Sequence, residues 1–380
     1  MQDLKIALTL LAAFIAGIFG FVPELGGLRY ERLVRNGSHI EYSTMLTILL
    51  SQTKPSQLTQ DLGASQFVNP TATNSWWASS FVHASDGHDY LIVSHVIFPN
   101  LNVSTVLLRA SILDINDTAY YWQVSWLQNV SSRAAHVQNG APGVVTKYFG
   151  FVSVDPTNPL DKMRIWCITE HVELNITFQL SAPVILNGGT GTFPFGDETT
   201  LEWSMPAGIT GGHFTANRKL LTIDSAISLT WYDRQLIWPF APMGGPARSN
   251  WTWFQVHLGE RTMSIWAWDT LDGQRFQFAT VRDEPGIHHV LAITEFTPSS
   301  RQWTSPCSKT TYFLDWVVAL VDGTRLELSS VRDDQELCTQ DGTIATYEGY
   351  INVAGTRGDE TISGYGLVEV APMTMITKPT

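Results

Sequence analysis

The sequence predicts an all-β protein built from two β-barrel or β-sandwich units behind an N-terminal hydrophobic segment. Helical periodicity is nearly absent after residue 60, and short runs rich in Val, Ile, Thr, Tyr, Phe and Trp alternate with Gly, Asp, Asn and Pro. Asp-Gly pairs, which favour hairpin turns, begin at Asp86, Asp272 and Asp322. Hydrophobic residues make up 44% of the 380 residues and charged residues only 15%, so the chain can fill a large core.

The N-terminus predicts entry into the secretory pathway, with a secreted or lumenal destination. The run Ile6–Val22 carries no charge, so we expect residues 1–20 to be a signal peptide, and residues 21–65 to be an N-terminal extension. A retained membrane anchor or a buried helix are the alternatives for the same run. Glycosylation sequons support export. They begin at Asn36, Asn102, Asn116, Asn129, Asn175 and Asn250.

Beyond the extension, the chain divides into two predicted β domains, residues 66–212 and residues 213–375. Gly, Pro and Thr concentrate between Leu186 and Gly212, where strand patterns thin out. Each half also contains hairpin strands with clustered tryptophans, which suggests two related units. These are Trp76 and Trp77 in the first half, and Trp251, Trp253, Trp266 and Trp268 in the second.

The cysteine positions predict one disulfide and one free thiol. If Asp322-Gly323 is a two-residue turn between the runs Tyr312–Val321 and Thr324–Val331, Cys307 lies opposite Cys338, within disulfide reach. Cys167 then remains a single buried thiol, and no local motif supports a catalytic role for it.

Charge and motif content exclude several classes of function. The net charge is -12, whereas nucleic acids and anionic membrane surfaces require a basic face, so we expect neither as a partner beyond a possible N-terminal anchor. No His pair or His/Cys cluster has metal-ligand spacing, and no nucleotide-binding motif occurs in a strand–helix context. We therefore expect no metal and no cofactor.

Strand alternation places Trp251, Trp253 and Gln255 on one face, and Trp266 and Trp268 likewise share a face. Such a cluster is either a packed core or the wall of a cavity for a hydrophobic small molecule. The abundance of Trp, 14 residues whose indole N–H groups each need a partner, makes the cavity as plausible as the core.

The segment from Leu229 to Gln235 is the strongest candidate for chemistry. Asp233, Arg234 and Gln235 follow Trp231 and Tyr232, and an acid buried among aromatic rings would keep its proton and act as a general acid. The alternative is a surface Asp–Arg pair at a strand end. Weaker candidates are Trp77, Glu202, Trp203, His213, Glu348 and Glu369.

Several strings resemble the lipocalin-like superfamily of carotenoid 1,2-hydratase, kievitone hydratase and fungal Diels–Alderases. The resemblance is carried by Thr230–Gln235 and Asn250–Leu258, with further matches at Ser75-Trp76-Trp77, Gly191–Pro194 before Glu202-Trp203, and Gly364-Tyr365-Gly366 before Glu369. The chain departs from the family after Gln235, where Leu236-Ile237-Trp238-Pro239 stands in place of a frequent Trp-Gly.

The resemblance implies two packed lipocalin-like domains that hold a polyketide or terpenoid olefin. It also implies that an acid at Asp233 protonates an alkene in the hydratases. We expect cycloaddition of Diels–Alder or hetero-Diels–Alder type first, because orientation in an aromatic pocket suffices for it. Hydration or dehydration with Asp233 as the acid is the alternative, and a non-catalytic carrier is a third.

Overall fold

A computed structural model describes residues 28–29, 61–98, 105–129, 143–155, 157–180, 182–196, 198–238, 249–270, 273–284 and 287–371. The predicted signal segment and the sequons at Asn36 and Asn102 lie outside these residues. Within them, no helix is long and apolar enough to cross a membrane. A short helix, α1, spans Leu62–Ser65, and a 3-10 helix spans Asn187–Gly189. The remaining elements are β-strands, which confirms the all-β prediction.

Among the described residues, the first sheet contains 13 strands. They are β2 (Thr73–His83), β3 (Asp89–Phe98), β4 (Thr105–Asp114), β5 (Tyr121–Asn129), β6 (Gly143–Val145), β7 (Phe149–Ser153), β8 (Lys162–Ile168), β9 (Glu173–Gln179), β10 (Ile185–Leu186), β11 (Thr192–Phe195), β12 (Glu198–Ala216), β13 (Lys219–Thr222) and β14 (Leu229–Trp238). The strand order is β5-β4-β3-β2-β14-β12-β9-β8-β7-β6, and β10, β11 and β13 also pair with β12.

The second sheet has 11 strands in the described part of the chain. They are β1 (Leu28–Arg29), β15 (Ser249–Leu258), β16 (Arg261–Thr270), β17 (Arg275–Glu284), β18 (Ile287–Leu291), β19 (Ile293–Pro298), β22 (Asp315–Leu320), β23 (Thr324–Ser330), β24 (Glu336–Cys338), β25 (Ala345–Arg357) and β26 (Glu360–Ala371). The order is β1-β18-β17-β16-β15-β26-β25-β23-β22-β19, and β24 pairs with β25. A separate ribbon joins β20 (Gln302–Thr304) to β21 (Thr311–Phe313).

Three hydrophobic cores follow from the two-residue alternation of these strands. On β2, Trp76 points into a core within the first half, whereas Trp77 points into a core shared by both sheets. On β15, Trp253 joins the shared core and Phe254 joins a core within the second half. The shared core therefore binds the sheets together face to face.

The predicted boundary between residues 212 and 213 does not separate the two sheets. It falls inside β12, which continues unbroken across it because both Gly208 and Gly212 let neighbouring backbone approach closely. β14 then pairs with β2 and β12. The change of sheet therefore lies between Trp238 and Ser249, so Asp233 belongs to the first sheet rather than to the second.

The predicted disulfide between Cys307 and Cys338 is confirmed, with 6.6 Å between the Cα atoms, but the reasoning behind it is wrong. Gly323, at φ +85, closes a three-residue loop, so Val318 pairs with Leu326, one residue out of the expected register. Cys307 also lies between β20 and β21, outside this strand pairing, and Cys338 lies on β24. Cys167 is a buried free thiol, as expected.

Four sequon asparagines fall within the described strands and turns. Asn116 and Asn129 are exposed, whereas Asn175 and Asn250 are half-buried. Asn175 accepts a hydrogen bond from the Arg164 guanidinium, and Asn250 accepts one from the backbone of Asp269. The four sequons therefore differ in the exposure of their asparagine side chains.

Candidate active site

On the first sheet, a row of directly paired residues crosses five strands and faces the second sheet. This first row consists of Arg109 on β4, His95 on β3, Trp77 on β2, Asp233 on β14 and Ser204 on β12. All five side chains are buried. Side chains of directly paired residues lie on the same face of a sheet, so β-pairing brings together groups that are far apart in sequence.

A second row crosses the other sheet and faces the first. It consists of Trp266 on β16, Trp253 on β15, Glu369 on β26 and Glu348 on β25. The indole N–H of Trp77 donates to Glu348 Oε2 at 2.8 Å, and the rings of Trp77 and Trp253 lie edge to face with centroids 5.1 Å apart. The two rows therefore meet in the shared core, away from water.

Asp233 is a buried carboxyl group with an aromatic neighbour. The indole N–H of Trp231 donates to its Oδ1 at 2.7 Å. Burial raises the pKa of Asp233 to about 7, and the hydrogen bonds from Ser204 and Trp231 oppose that rise only in part. The group therefore keeps its proton in mildly acidic solution and can donate it.

Glu369 and Glu202 are also held toward the neutral form. Burial, together with the charge of Glu348, raises the pKa of Glu369 to about 8, while Trp251 donates to its Oε1 at 2.7 Å. Burial and Asp233 raise the pKa of Glu202 well above its usual range. Gln235 Nε2 donates to Glu202 at 2.9 Å, so the predicted Gln235 faces the site and positions a second carboxyl group.

Glu348 differs from the other carboxyl groups because a cation lies next to it. Its Oε1 is 3.5 Å from Arg109 Nη1 and 3.7 Å from His95 Nδ1. Burial alone would raise the pKa of Glu348, but His95, Arg109 and Trp77 together hold it below its usual range. Burial lowers the pKa of His95, so the histidine stays neutral and Arg109 supplies the charge.

Aromatic rings pack beside the rows. Phe193 and Phe195 on β11 pack against Trp266, with ring centroids 5.5 Å and 5.3 Å away, and against Trp268. Trp251 contacts Phe195 at 5.4 Å. The predicted tryptophans of the second sheet are thus brought together.

Several buried polar atoms around the rows have no hydrogen-bond partner within the described residues. They include Arg109 Nε, His95 Nδ1, Gln255 Nε2, His257 Nε2, Trp268 Nε1 and Glu348 Oε1. A buried polar atom that lacks a partner costs about 1–3 kcal/mol, so a cluster of them is typical of a site that binds a polar group of a ligand or a water molecule. Gln255 also accepts a 2.7 Å bond from Ser79, which fixes its orientation.

Three predicted site residues lie on the opposite face, and the structure corrects their assignment. Arg234 lies 4.1 Å over the Trp76 ring and donates to the carbonyl groups of Ser65 and Phe67. Tyr232 and Trp203 pack in the core of the first half. The physical reason is alternation. On β14, Trp231, Asp233 and Gln235 face the second sheet, so the intervening Tyr232 and Arg234 cannot, and on β12 Trp203 lies between Glu202 and Ser204 in the same way.

Sequence reasoning did not place Arg109 and His95 in the site. The sequence does contain an indication for Arg109. It is the one charged residue within the run Val106–Leu113 of β4, which is buried, and a buried cation requires a partner. His213 lies apart from the rows, 3.4 Å from Glu173.

One group of possible metal ligands occurs among the described residues: Cys307, Glu336 and Cys338. The disulfide already joins two of these three.

Comparison with known proteins finds relatives that cover most of the chain. Kievitone hydratase from Fusarium solani subsp. phaseoli is 34% identical over 316 residues, which cover 82% of this chain and 85% of that protein. Dehydratase asqC from Emericella nidulans is 30% identical over 323 residues, covering 82% and 88%.

Solved structures give the same result. The crystal structure of kievitone hydratase from Nectria haematococca matches with a TM-score of 0.72 and 32% identity, covering 82% of this chain and 93% of that one. An AttH protein from Nitrosomonas europaea matches in fold, with a TM-score of 0.63 at 18% identity, over 82% of this chain and 95% of that one. The AttH-like family model matches residues 106–372. The predicted resemblance is confirmed, and the chain belongs to the AttH-like family.

Proposed function

We propose that this enzyme is a hydro-lyase, which adds water to, or removes it from, a carbon–carbon double bond of a hydrophobic substrate. The observation that carries the proposal is the Asp233 carboxyl group itself, which is buried on the first row beside Trp231, and burial raises its pKa to about 7. The relatives are named as a hydratase and a dehydratase, which favours this reaction over cycloaddition.

Substrate binding and proton transfer are assigned to different residues. The tryptophans of both rows hold the apolar body of the substrate in the shared core. In the hydration direction, the Asp233 carboxyl transfers its proton to one alkene carbon, and the oxygen of a water molecule bonds to the other carbon and releases a proton. Dehydration follows the same steps in reverse.

Cycloaddition, the first expectation from sequence, becomes the second candidate. The aromatic lining from Phe193, Phe195 and the tryptophans supports it, because orientation between flat rings is what that reaction needs. A non-catalytic carrier would use the same lining but would return its ligand unchanged.

The deciding experiment uses kievitone and a panel of hydrophobic olefins in heavy water. Hydration places deuterium on carbon, whereas cycloaddition incorporates none and a carrier forms no product. Asp233→Asn should lower the rate about 10²–10⁴-fold, the usual contribution of a general acid. Asp114→Asn, at a buried carboxyl group outside the rows, is the matched control and should keep its activity.

Products without deuterium, formed equally well by Asp233→Asn, would refute hydration and support cycloaddition instead.

We also propose that the protein works in the secretory pathway. The Cys307–Cys338 disulfide supports this location, since structural disulfides persist in oxidising compartments.

A further inference from the structure

The proposed hydration releases one proton from the added water molecule, and the residues named so far include no acceptor for it. When water adds to the alkene, its oxygen forms the new bond to carbon while one of its O–H bonds breaks, and an acceptor must take that proton. Asp233 has just lost its own proton at the other carbon and faces the substrate as the donor. A second group in the ionised state is therefore needed on the same side of the shared core.

We propose that Glu348, on the second row, is the base that accepts this proton. The inference rests on the proposed hydro-lyase function and assigns the second half of its chemistry. Three side chains of the first sheet converge on this carboxylate: Trp77 donates to Oε2 at 2.8 Å, and Arg109 and His95 approach Oε1. Oε1 makes no hydrogen bond within the described residues, so it has an acceptor position available for a water proton.

The surroundings give the carboxyl groups different charge states, and an acid and a base that act together require this difference. The charged and titratable groups that act on Glu348 are His95 and Arg109 across the interface, Tyr121 on β5, and Glu369 on the adjacent strand. Arg109 is the cation of this set, and it lies at Glu348 rather than at Asp233 or Glu369. Three carboxyl groups held toward the neutral form, Asp233, Glu369 and Glu202, thus accompany one carboxylate.

Every proton has a donor and an acceptor over one turnover. Asp233 ends as a carboxylate and Glu348 as a carboxylic acid after water has added. One proton returns from Glu348 to Asp233, through solvent or through Glu369, which interacts electrostatically with both. No oxidant, reductant or other reactant is required.

A purely structural role for the Arg109–Glu348 pair is the competing explanation, and a double variant separates the two. Glu348→Gln alone leaves the Arg109 guanidinium buried without its partner, which destabilises the fold whatever the role of the glutamate. Combining it with Arg109→Met removes both charges. If the pair is only a clamp, this double variant regains activity; if Glu348 is the base, it folds and stays inactive.

The experiment measures rates with an olefin that the wild-type enzyme hydrates, and infrared difference spectra of the protein alone. We expect the folded double variant to remain about 10²–10⁴-fold slower than wild type. The residual activity should no longer fall on the acidic side of the pH profile, where protonation of Glu348 stops the wild type. Glu336→Gln, at a buried carboxyl group bonded to Tyr312 outside the rows, is the control and should retain full turnover.

The spectra decide the charge state without a substrate. Glu348→Gln should remove a carboxylate band at neutral pH, and removal of a protonated carboxyl band instead overturns the proposal. Recovery of activity in the double variant overturns it as well. If Asp233→Asn is inactive while the double variant is active, the hydro-lyase stands without this base. If no olefin gains water with deuterium on carbon and no hydrated substrate loses water, the hydro-lyase itself fails.

Discussion

At the scale of single residues, the site depends on where a strand directs each side chain. Asp233 and Arg234 are neighbours in sequence, yet one faces the shared core and the other donates to backbone carbonyls of the residue 61–67 segment. The guanidinium therefore does not neutralise the carboxyl group. This separation, with the loss of hydration, leaves Asp233 as a proton donor.

The same buried acid makes stability depend on pH. Burial raises the pKa of Asp233 to about 7, so the folded protein keeps a proton that the unfolded chain releases near pH 4. Between these values the unfolded state binds fewer protons, and the free energy of unfolding falls as pH rises. Asp233→Asn removes the titration, so we expect it to match wild type near pH 4 and to exceed it at pH 8 by up to about 4 kcal/mol.

Chemical denaturation at the two pH values measures this difference. A variant that gains nothing on going from acid to alkaline solution would show that Asp233 is not neutral in the folded protein.

At the scale of elements, β26 contains two glycines from the string Gly364-Tyr365-Gly366, which carries part of the family resemblance but whose structural role the sequence did not explain. Gly364 and Gly366 allow β26 to lie close to β15, since a Cβ atom at these positions would come within 1.9 Å of the His257 carbonyl oxygen and 2.0 Å of the Gln255 carbonyl oxygen. The close approach holds Glu369 beside Trp253 on the second row.

Gly366→Ala should therefore push β26 away from β15. We expect a loss of about 1–3 kcal/mol, typical of forcing extra atoms into a packed site, together with reduced turnover because Glu369 shifts. Thermal unfolding and the rate assay measure the two effects. Gly211→Ala on β12, where an added Cβ meets only the Ser225 side chain at 3.6 Å, is the control and should be nearly neutral. Equal behaviour of the two variants would contradict the argument.

Local pattern was sufficient for many elements but not for their partners. The Asp86 hairpin forms between β2 and β3, and the inward faces of β15 and β16 carry the expected tryptophans. The site required more, because the pairing of β14 with β2, and of β26 with β15, joins segments distant in the chain. Alternation excludes Arg234 once β14 is accepted as a strand, but it cannot reveal that Arg109 meets Glu348.

At the scale of the whole molecule, the two sheets act as the two walls of one site. The shared core draws Trp77 and Trp231 from the first sheet, and Trp253, Trp266 and Trp268 from the second. Neither sheet alone supplies both the proton donor and the proposed base. The catalytic arrangement thus exists only when the sheets are packed together.

This architecture predicts that both halves unfold as one cooperative unit. Trp253 contacts Trp77 and Trp231 across the interface, so Trp253→Ala should cost about 3–5 kcal/mol and lower a single transition. Phe151→Ala, which truncates a side chain in the core of the first half only, should move that same transition because that core is joined to the rest through β2 and β14. Far-UV circular dichroism and tryptophan fluorescence during urea denaturation should give coincident curves for each variant. Two separate transitions, of which Phe151→Ala shifts one and leaves the other in place, would mean that the sheets fold independently and that the shared core contributes little to holding Asp233 opposite Glu348.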